Sequence, residues 1–501
     1  MIGRRGFLAA SAAALVVPRG GGAAEGSLLA AARRRAERPF ADEPPPLPPP
    51  FAGLDYDAYR AIRPKPGAAA HLPLGPGYAF DLLPPGFYHD TPVTVEVAGP
   101  DGLRPLPFSP ALFDFAPRYF PRPIPAEAPG AGFSGLRLRH PLNAPDVMDE
   151  VLVLQGASYF RAVAADTVYG LSARAVALGT GGPAPEEFPA IRRLRLTPAT
   201  ADRPPRIEAL IDSPSLAAHL SLTPMPGAET VTRCALTLFP RRRLDAAGIA
   251  PLTSMFLKGP MQGAVADDFR PRVHDSAALR IDNGAGETLW RPLANPARVE
   301  TSAFLDRDPR GFGLIQRPRA FEGFEDAEAA YHRRPTAWVR PRGDWGAGAV
   351  TLVEIPTADE FMDNIVAFWR PEAPLAPGRG HRFAYDITWS AGAPPRDGRA
   401  ALRDSRSGRV HDRPGARQVV VDFATTDTAL VPDLSVAGAG VAAEGLAAYP
   451  LPGGRGLRVG FQLIPGAADV AELRLLLRDA EGRAASDVWL WRWTRARDGG
   501  V

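Results

Sequence analysis

The sequence contains a single cysteine, Cys234, among its 501 residues. No disulfide can therefore form within the chain, even in a compartment that permits one. Cys234 lies in the alternating run 230–239, which predicts a strand, and an unpaired cysteine there acts as a small buried hydrophobe. A reactive thiol is the alternative interpretation.

Excess charge and long apolar runs are also missing. Arg4, Arg5 and Arg19 account for the net charge of +3, so acidic and basic residues balance beyond residue 24. A neutral protein has no electrostatic basis for binding nucleic acid or an anionic membrane. No apolar segment approaches the roughly 20 residues of a transmembrane helix, so we expect no stable membrane span.

Several catalytic motifs are absent. No glycine-rich phosphate loop follows a predicted strand, and neither GxSxG nor HExxH occurs. His274 stands beside acidic residues and could be interpreted as a metal ligand. No second histidine, however, lies at ligand spacing. We therefore expect neither a metal nor a cofactor.

The N-terminus has the pattern of an export signal. Arg4-Arg5 precedes Phe7-Leu8 and an apolar run of about a dozen residues, and small residues follow up to Ala24. The arginine pair is typical of twin-arginine signals, so residues 1–24 predict export to the periplasm. A membrane anchor is the alternative, although the run is short for a span.

Beyond the signal, the length predicts at least two domains, since single cores stop growing at roughly 250–300 residues. Residues 27–38 have helical composition, 44–50 form a proline-rich arm, and 54–62 predict a second short helix. Short runs with period-two alternation follow, for example 93–97, 230–239 and 278–282. This spacing predicts an all-β antiparallel sandwich.

The composition changes near 392–398, which is rich in glycine and proline. Four further strands are predicted at 418–423, 457–464, 472–477 and 488–493, and they indicate a small immunoglobulin-like sandwich. We divide the chain into a signal (1–24), a helix and proline-rich arm (25–50), a large β-sandwich (51–391), a linker (392–417) and an immunoglobulin-like domain (418–501).

Polar clusters in aromatic surroundings occur at 267–276 and 356–369, a mixture suited to sugar rings and their hydroxyls. Glycosidic cleavage usually needs two carboxyl groups, and Asp275 and Asp363 each stand beside a predicted strand, where they could face one cleft. Turn-forming aspartates are the alternative. Residues 357–360 match a capping box, so the alternative to a functional role for Glu360 is a structural one at the N3 position of a helix.

Blocks of the sequence resemble the periplasmic glucan biosynthesis family OpgG/OpgD, also called MdoG. They include the His274-Asp275-Ser276 and Asp363-Asn364-Ile365-Val366 elements. The matching blocks are 54–63, 156–162, 169–175, 250–256, 268–276, 311–317, 363–369 and, more loosely, 419–423. The arginine pair of the signal favours the OpgD branch.

The resemblance implies a mutarotase-like β-sandwich followed by an immunoglobulin-like domain. It also implies a role in osmoregulated periplasmic glucan synthesis and inverting cleavage of β-1,2-glucan, with Asp275 as general base acting through waters and Asp363 as general acid. The inner-membrane glucan synthase is a candidate partner. The polar and aromatic residues that we expect to bind the glucan are Glu360, His274, Arg272, Trp290, Arg317, Trp345, Tyr159 and Arg161.

The family often has a Thr-Asn pair where this chain has Phe361-Met362, which removes two polar groups beside the acid. Three alternatives therefore stay open: glucan transfer or cyclisation, non-catalytic glucan binding or backbone organisation, and a sugar epimerase suggested by fold analogy alone. For the acid we expect apolar or acidic neighbours that raise its pKa, supplied by Phe361, Met362, Phe368 and Glu360. For Asp275 we expect His274 with Arg270 or Arg272 to keep it ionised. The oligomeric state is not predicted.

Overall fold

The computed structural model describes residues 26–41, 46–262, 267–395 and 398–499. The predicted signal peptide lies outside these residues, as does part of the proline-rich arm. The α-helices of the described residues are short: α1 Leu28–Ala36, α2 Tyr56–Arg60 and α3 Arg495–Asp498. Four 3-10 turns occur at Pro110–Leu112, Phe321–Gly323, Tyr331–Arg333 and Pro452–Gly454.

Strands dominate the chain. Those of its first half are β1 Ile62–Pro64, β2 Leu72–Pro73, β3 Ala79–Leu83, β4 Thr94–Gly99, β5 Gly102–Leu106, β6 Phe113–Phe115, β7 Gly135–Pro141, β8 Met148–Gln155, β9 Tyr159–Ala162, β10 Ser172–Arg174, β11 Val176–Leu178, β12 Ala190–Thr197, β13 Arg206–Ser213, β14 Leu216–Met225, β15 Thr230–Pro240 and β16 Ala247–Ser254. The next ten are β17 Phe256–Lys258, β18 Val273–His274, β19 Ala278–Asp282, β20 Thr288–Pro292, β21 Glu300–Arg307, β22 Gly311–Ile315, β23 Thr336–Pro341, β24 Ala347–Glu354, β25 Ile365–Pro371 and β26 His381–Ser390. The tail contains β27 Ala401–Arg409, β28 Arg417–Ala424, β29 Val431–Ala437, β30 Ala442–Pro450, β31 Leu457–Ile464, β32 Val470–Arg478 and β33 Val488–Thr494.

Two large sheets build the main body. One runs in the order β2-β3-β7-β8-β9-β10-β16-β25-β24-β21, with β11 also paired to β16. The other runs β29-β32-β33-β20-β19-β22-β23-β26-β15-β14-β13-β12-β4-β5. Buried residues of both sheets, such as Leu152 of β8 and Leu220 of β14, belong to one apolar cluster. The sheets therefore pack face to face as a β-sandwich, which confirms the predicted fold class.

Local alternation explains why these segments form strands. In β31, Leu457, Val459, Phe461 and Leu463 are buried, whereas Arg458 and Gln462 are only partly buried. Side chains two residues apart share one face of a strand, so such a run buries one face and leaves the other polar. The strands and the two N-terminal helices named in the sequence analysis are confirmed within two residues at most ends.

The helix α1 covers part of the second sheet. Ser27 caps it, because its hydroxyl accepts a hydrogen bond from the Ala30 amide at 3.1 Å. The buried side chains Leu28 and Ala32 pack against Leu210 of β13. The predicted N-terminal helix thus docks on the body of the sandwich.

The tail forms a second, smaller sandwich. The sheet β27-β28-β31-β30 faces the strands β29, β32 and β33, and their apolar side chains share a cluster that includes Phe461 and Trp489. β33 also pairs in parallel with β20, with Trp489 opposite Trp290. Residues 401–409, which lie in the stretch predicted as a linker, instead form β27, which pairs antiparallel with β28 and packs Leu402 into the apolar cluster of the tail. The domain boundaries themselves stay predictions.

Cys234 lies in β15 and is 1% exposed, with burial raising the pKa of its thiol well above the usual range. The expectation of a small buried hydrophobe is confirmed. Over the described ranges, no helix has the length and apolar character needed to cross a bilayer.

Candidate active site

Asp275 immediately follows the short strand β18 and is only 3% exposed. Its backbone amide donates to the Met255 carbonyl at 2.9 Å. The neighbouring Ser276 hydroxyl accepts a hydrogen bond from the Ser254 hydroxyl at 2.9 Å. These bonds hold the carboxyl group of Asp275 beside the segment that leaves β16.

Asp363 lies in the irregular segment that precedes β25, next to the fully buried Asn364. The Asn364 side chain accepts from the Phe256 amide at 2.8 Å and donates to the carbonyls of Phe256, at 3.0 Å, and Ile355, at 2.9 Å. Residues 255–256 therefore anchor both candidate residues, Met255 on the side of Asp275 and Phe256 on the side of Asp363.

Replacing Asn364 with alanine is expected to destabilise the fold by about 2–4 kcal/mol, because the buried backbone groups of Phe256 and the partly buried carbonyl of Ile355 lose their partner. Denaturant unfolding measures the change. Asn143→Ala is the matched control: its side chain is exposed, accepts from the Asp166 amide and also bonds Asp149, so the effect there should be below about 1 kcal/mol. Equal losses in the two variants would contradict the anchoring role.

Each candidate carboxyl group has an arginine partner. Arg334 Nη1 donates to Asp275 Oδ1 at 2.5 Å. Arg161 Nη2 lies 3.3 Å from Asp363 Oδ2, and both of these side chains are partly exposed. Arg334 also lies over the Tyr331 ring at 4.5 Å. The two arginines approach from 59 and 202 residues away along the chain.

The two carboxyl groups lie close enough to influence each other. Burial raises the pKa of Asp275 from its usual value to about 6, and the charge of Asp363 adds to the rise. Arg334 and Arg161 oppose it. A carboxyl group with this pKa is largely ionised at neutral pH but is a stronger base than an exposed aspartate.

Tyr159 and Arg161 lie on β9 beside Asp363, and both residues interact electrostatically with it. The Arg174 guanidinium lies 5.2 Å from the centre of the Tyr159 ring and forms an ion pair of 2.6 Å with Glu186. The predicted residues Tyr159 and Arg161 thus come together with Asp363.

Glu360 also belongs to this region. It forms an ion pair of 2.6 Å with Arg270, which in turn contacts Asp268 at 3.0 Å and Asp326 at 2.9 Å. Hydrogen bonds from Arg270 are the largest cause that lowers the pKa of Asp268 to about 2. Residues 357–360 form no helix, since Thr357 Oγ1 bonds within its own turn, so the capping-box interpretation of Glu360 was wrong.

Four predicted binding residues line or adjoin a separate cavity of about 450 Å³ between the large sheet and the tail. Arg272, His274 and Arg317 line it, and Arg317 lies 4.1 Å over the Trp290 ring. Trp345, the last of the predicted binding residues, does not belong to this cavity. It is 8% exposed and packs against Trp369 in the main apolar core. These side chains are not gathered around the two carboxyl groups.

The expected electrostatic support of Asp275 was wrong. His274 is buried and its Nδ1 lies 2.9 Å from Gln316 Oε1. Since the Gln316 amide nitrogen donates to two carbonyls, Oε1 accepts from His274 Nδ1. Burial lowers the pKa of His274 to about 3, so it is neutral. Arg270 and Arg272 bind other carboxylates, and the arginine that bonds Asp275 is Arg334.

The expected apolar cover of Asp363 by Phe361 and Met362 was wrong, whereas an acidic neighbour, Asp275, does interact with it. Phe361 is 91% exposed and Met362 is 43% exposed, so neither packs over the carboxyl group. Its ion-pair partner is Arg161. A hydrogen bond from Phe361 N to Asp359 Oδ1, at 2.9 Å, holds the turn that carries these exposed side chains.

Sequence reasoning missed Arg334 and Tyr331, which complete the surroundings of Asp275. Both lie in an irregular segment that contains the 3-10 turn Tyr331–Arg333. Adjacent Arg333 and Arg334 are indistinguishable by composition, so no local pattern selects the arginine that points to Asp275.

Comparison with known proteins extends these observations. Residues 25–493 match the family described as periplasmic glucan biosynthesis protein, MdoG. The glucans biosynthesis protein G of Vibrio cholerae serotype O1 is 41% identical over 456 residues, which cover 90% of this chain and 83% of that protein. The protein of the same name from Shewanella frigidimarina is 40% identical over 461 residues, covering 91% and 82% of the two chains.

These relatives bear the G designation, and the preference for the D branch rests on the signal pattern alone and stays a prediction. The family description agrees with the periplasmic location expected from residues 1–24. The match covers both the large sandwich and most of the tail. The chain belongs to the family of periplasmic glucan biosynthesis proteins of the MdoG type.

Proposed function

We propose that this protein cleaves β-1,2-linked glucan with inversion, with Asp363 as general acid and Asp275 as general base acting through water. The observation that supports the proposal is the meeting of two carboxyl groups in different environments. Asp275 is buried with its pKa raised to about 6, whereas Asp363 is partly exposed beside Arg161. Two carboxyl groups with separate roles are what glycosidic cleavage requires.

The base role suits Asp275. At neutral pH the group is mostly ionised, and its raised pKa makes it a better proton acceptor than an ordinary aspartate. Arg334 fixes the carboxylate through a charge-assisted hydrogen bond. A water relay can then deliver the proton of the attacking water to a carboxylate that does not touch the sugar.

The acid role suits the more accessible group, since a general acid must reach the glycosidic oxygen. A protonated Asp363 would make no ion pair with Arg161. The acid role therefore requires the bound glucan to engage Arg161 or to turn it away from the carboxyl group.

The test is incubation of the purified protein with linear β-1,2-glucan. Chain length is followed by chromatography and the configuration of new reducing ends by NMR. Inverting hydrolysis releases α-configured ends, whereas transfer or cyclisation rearranges chains with few new ends. Asp433→Asn, in β29 of the tail and paired with Arg478 at 2.7 Å, is a control that should keep full activity. Unchanged glucan between acidic and neutral pH would leave only a binding role.

Phe361 is expected to contribute a stacking surface for a sugar ring. Its ring is 91% exposed in the loop that carries Glu360 and Asp363. Replacing it with alanine should raise KM about 2–10-fold with little change in kcat, because aromatic contacts contribute about 0.5–1.5 kcal/mol. Steady-state kinetics on the glucan measures both constants.

The matched control for Phe361 is Tyr449→Ala in β30 of the tail, which also removes an exposed aromatic ring. Phe361→Tyr should keep the wild-type KM, since the ring face is retained. A fall in kcat without a change in KM would assign Phe361 a different role.

A further inference from the structure

The cavity of about 450 Å³ between the two sandwiches is separate from the carboxyl pair and has an unusual charge distribution. Its charged lining consists of four arginines and two aspartates. Arg272 and Arg317 come from the large sheet side, and the others come from β27 and β28 of the tail. The arginines are Arg272, Arg317, Arg403 and Arg406, and the aspartates are Asp404 and Asp422.

Both aspartates are already engaged by arginine. Asp422 forms two bonds with Arg458, at 2.6 and 2.7 Å. Asp404 is shared between Arg406, at 2.8 Å, and Arg272, at 3.4 Å. The carboxylate oxygens that line the cavity therefore have little hydrogen-bonding capacity left for the other two arginines, Arg317 and Arg403.

Arg317 and Arg403 have no carboxylate within 4 Å in the part of the chain that the structure describes. Arg317 Nη1 donates to the Leu402 carbonyl at 2.8 Å, and Arg403 Nη1 donates to the Arg455 carbonyl at 2.9 Å. A guanidinium group has five N–H donors, so most of the donors on these two side chains are uncommitted.

Arg317 is also fixed in position. Its guanidinium lies 4.1 Å from the centre of the Trp290 ring, and Trp290 is only 3% exposed. Burial lowers the pKa of Arg317 to about 10, the charge of Asp404 opposes this fall, and the charges of Arg272 and Arg280 add to it, so Arg317 still carries its charge at neutral pH. Arg317 is only partly buried, and a charge that is partly removed from water is stabilised by an additional counter-charge.

We propose that this cavity binds a small oxyanion, a carboxylate or a phosphate ester, with Arg317 and Arg403 as its principal ligands. Planar guanidinium groups match the oxygen geometry of both anions and bind them through paired hydrogen bonds. The volume is that of a site for a small molecule. This inference does not depend on the proposed glucan cleavage.

Binding there would also join the two sandwiches. Arg317 follows β22 of the large sheet, whereas Arg403 lies in β27 of the tail. An anion held by both arginines adds a bridge between them and should raise the midpoint of thermal unfolding as its concentration increases, because it binds the folded state.

The test is calorimetric titration of the full chain with inorganic phosphate and, separately, with malonate, at constant ionic strength set by chloride. We expect saturable binding of at least one anion. Affinity should fall about tenfold or more in Arg317→Gln and in Arg403→Gln. Arg233→Gln, a half-exposed arginine of β15 that lies 3.7 Å from Asp386, is the matched control and should bind as the wild type does.

Each outcome is decisive. Saturable binding of phosphate alone or malonate alone identifies the class of anion. Should Arg317→Gln fail to fold, Arg403→Gln carries the test, since its one carbonyl contact makes a small structural contribution. Absence of saturable heat with both anions, or equal affinity in Arg403→Gln and the wild type, would overturn the proposal.

Discussion

Asp363→Asn is expected to lower the rate of β-1,2-glucan cleavage by about 10²–10⁴-fold, the usual contribution of a positioned general acid. Asparagine keeps the size of the side chain but cannot donate the proton that the leaving oxygen requires. Binding of the glucan should change little, because the lost interaction matters mainly in the transition state. Chain-length analysis gives the rate, and calorimetry with the inactive variant gives the affinity.

An activated substrate separates the two carboxyl roles. An aryl glycoside with a good leaving group needs little protonation, so Asp363→Asn should cleave it at close to the wild-type rate. Asp275→Asn should stay inactive on both substrates, because it cannot activate water. Equal rescue of both variants, or rescue of Asp275→Asn alone, would reverse or discard the assignment.

Arg161 offers a control for this experiment. Arg161→Gln removes the cation 3.3 Å from Asp363 without removing the carboxyl group. If Asp363 is the acid, Arg161→Gln should still cleave the glucan. Its KM should change more than the KM of Asp363→Asn does. Loss of cleavage as complete as in Asp363→Asn would instead favour Arg161 as the essential group and a binding role for the pair.

The second large effect concerns pH. Asp275 works as a base only when it is ionised, and its pKa lies at about 6. Activity should therefore rise with pH through about 6 as Asp275 ionises, and it should fall again where Asp363 loses the proton that it must donate. The raised pKa arises mainly from burial, and the 2.5 Å bond from Arg334 counteracts that rise.

Arg334→Gln removes this opposing charge, so the pKa of Asp275 should rise further, by about 1–3 pH units. The acidic limb of the kcat/KM profile should move upward by the same amount, and activity at pH 6 should fall about 5-fold for a rise of 1 unit and about 500-fold for a rise of 3 units. Arg333→Gln is the matched control, since the side chain of this neighbouring arginine donates to the Asp166 carbonyl and forms no ion pair among the described residues, so the profile should stay in place. An unshifted limb in Arg334→Gln would show that another group titrates.

The two aspartates illustrate how far local pattern reaches. The motifs around Asp275 and Asp363 made them candidates, and the structure ties both to residues 255–256. Their surroundings were predicted incorrectly, because the side chains nearest in sequence, His274 and Phe361, face the core and the solvent instead. Neighbours in a strand or turn point in different directions, so proximity in sequence does not give contact.

Trp290, Arg317 and Trp345 show the same limit for binding residues. Aromatic and basic composition predicted that they contact sugar, but composition does not distinguish a cleft from a packed interface. Trp345 lies in the main core, and Trp290 with Arg317 lies between the sandwiches. Which of several aromatic side chains stays accessible depends on the packing of whole sheets.

The sequence by itself predicted the all-β class, the strands with clear alternation and, through motifs that resemble a known family, the two candidate carboxyl groups, because alternation and short motifs are local properties of the chain. Only the tertiary structure decided that Arg334 meets Asp275, that Arg161 meets Asp363, and that burial raises the pKa of Asp275 to about 6. These contacts join residues 59 and 202 positions apart. They depend on strand pairing between distant segments, and no local pattern specifies the environment of a carboxyl group that such pairing creates.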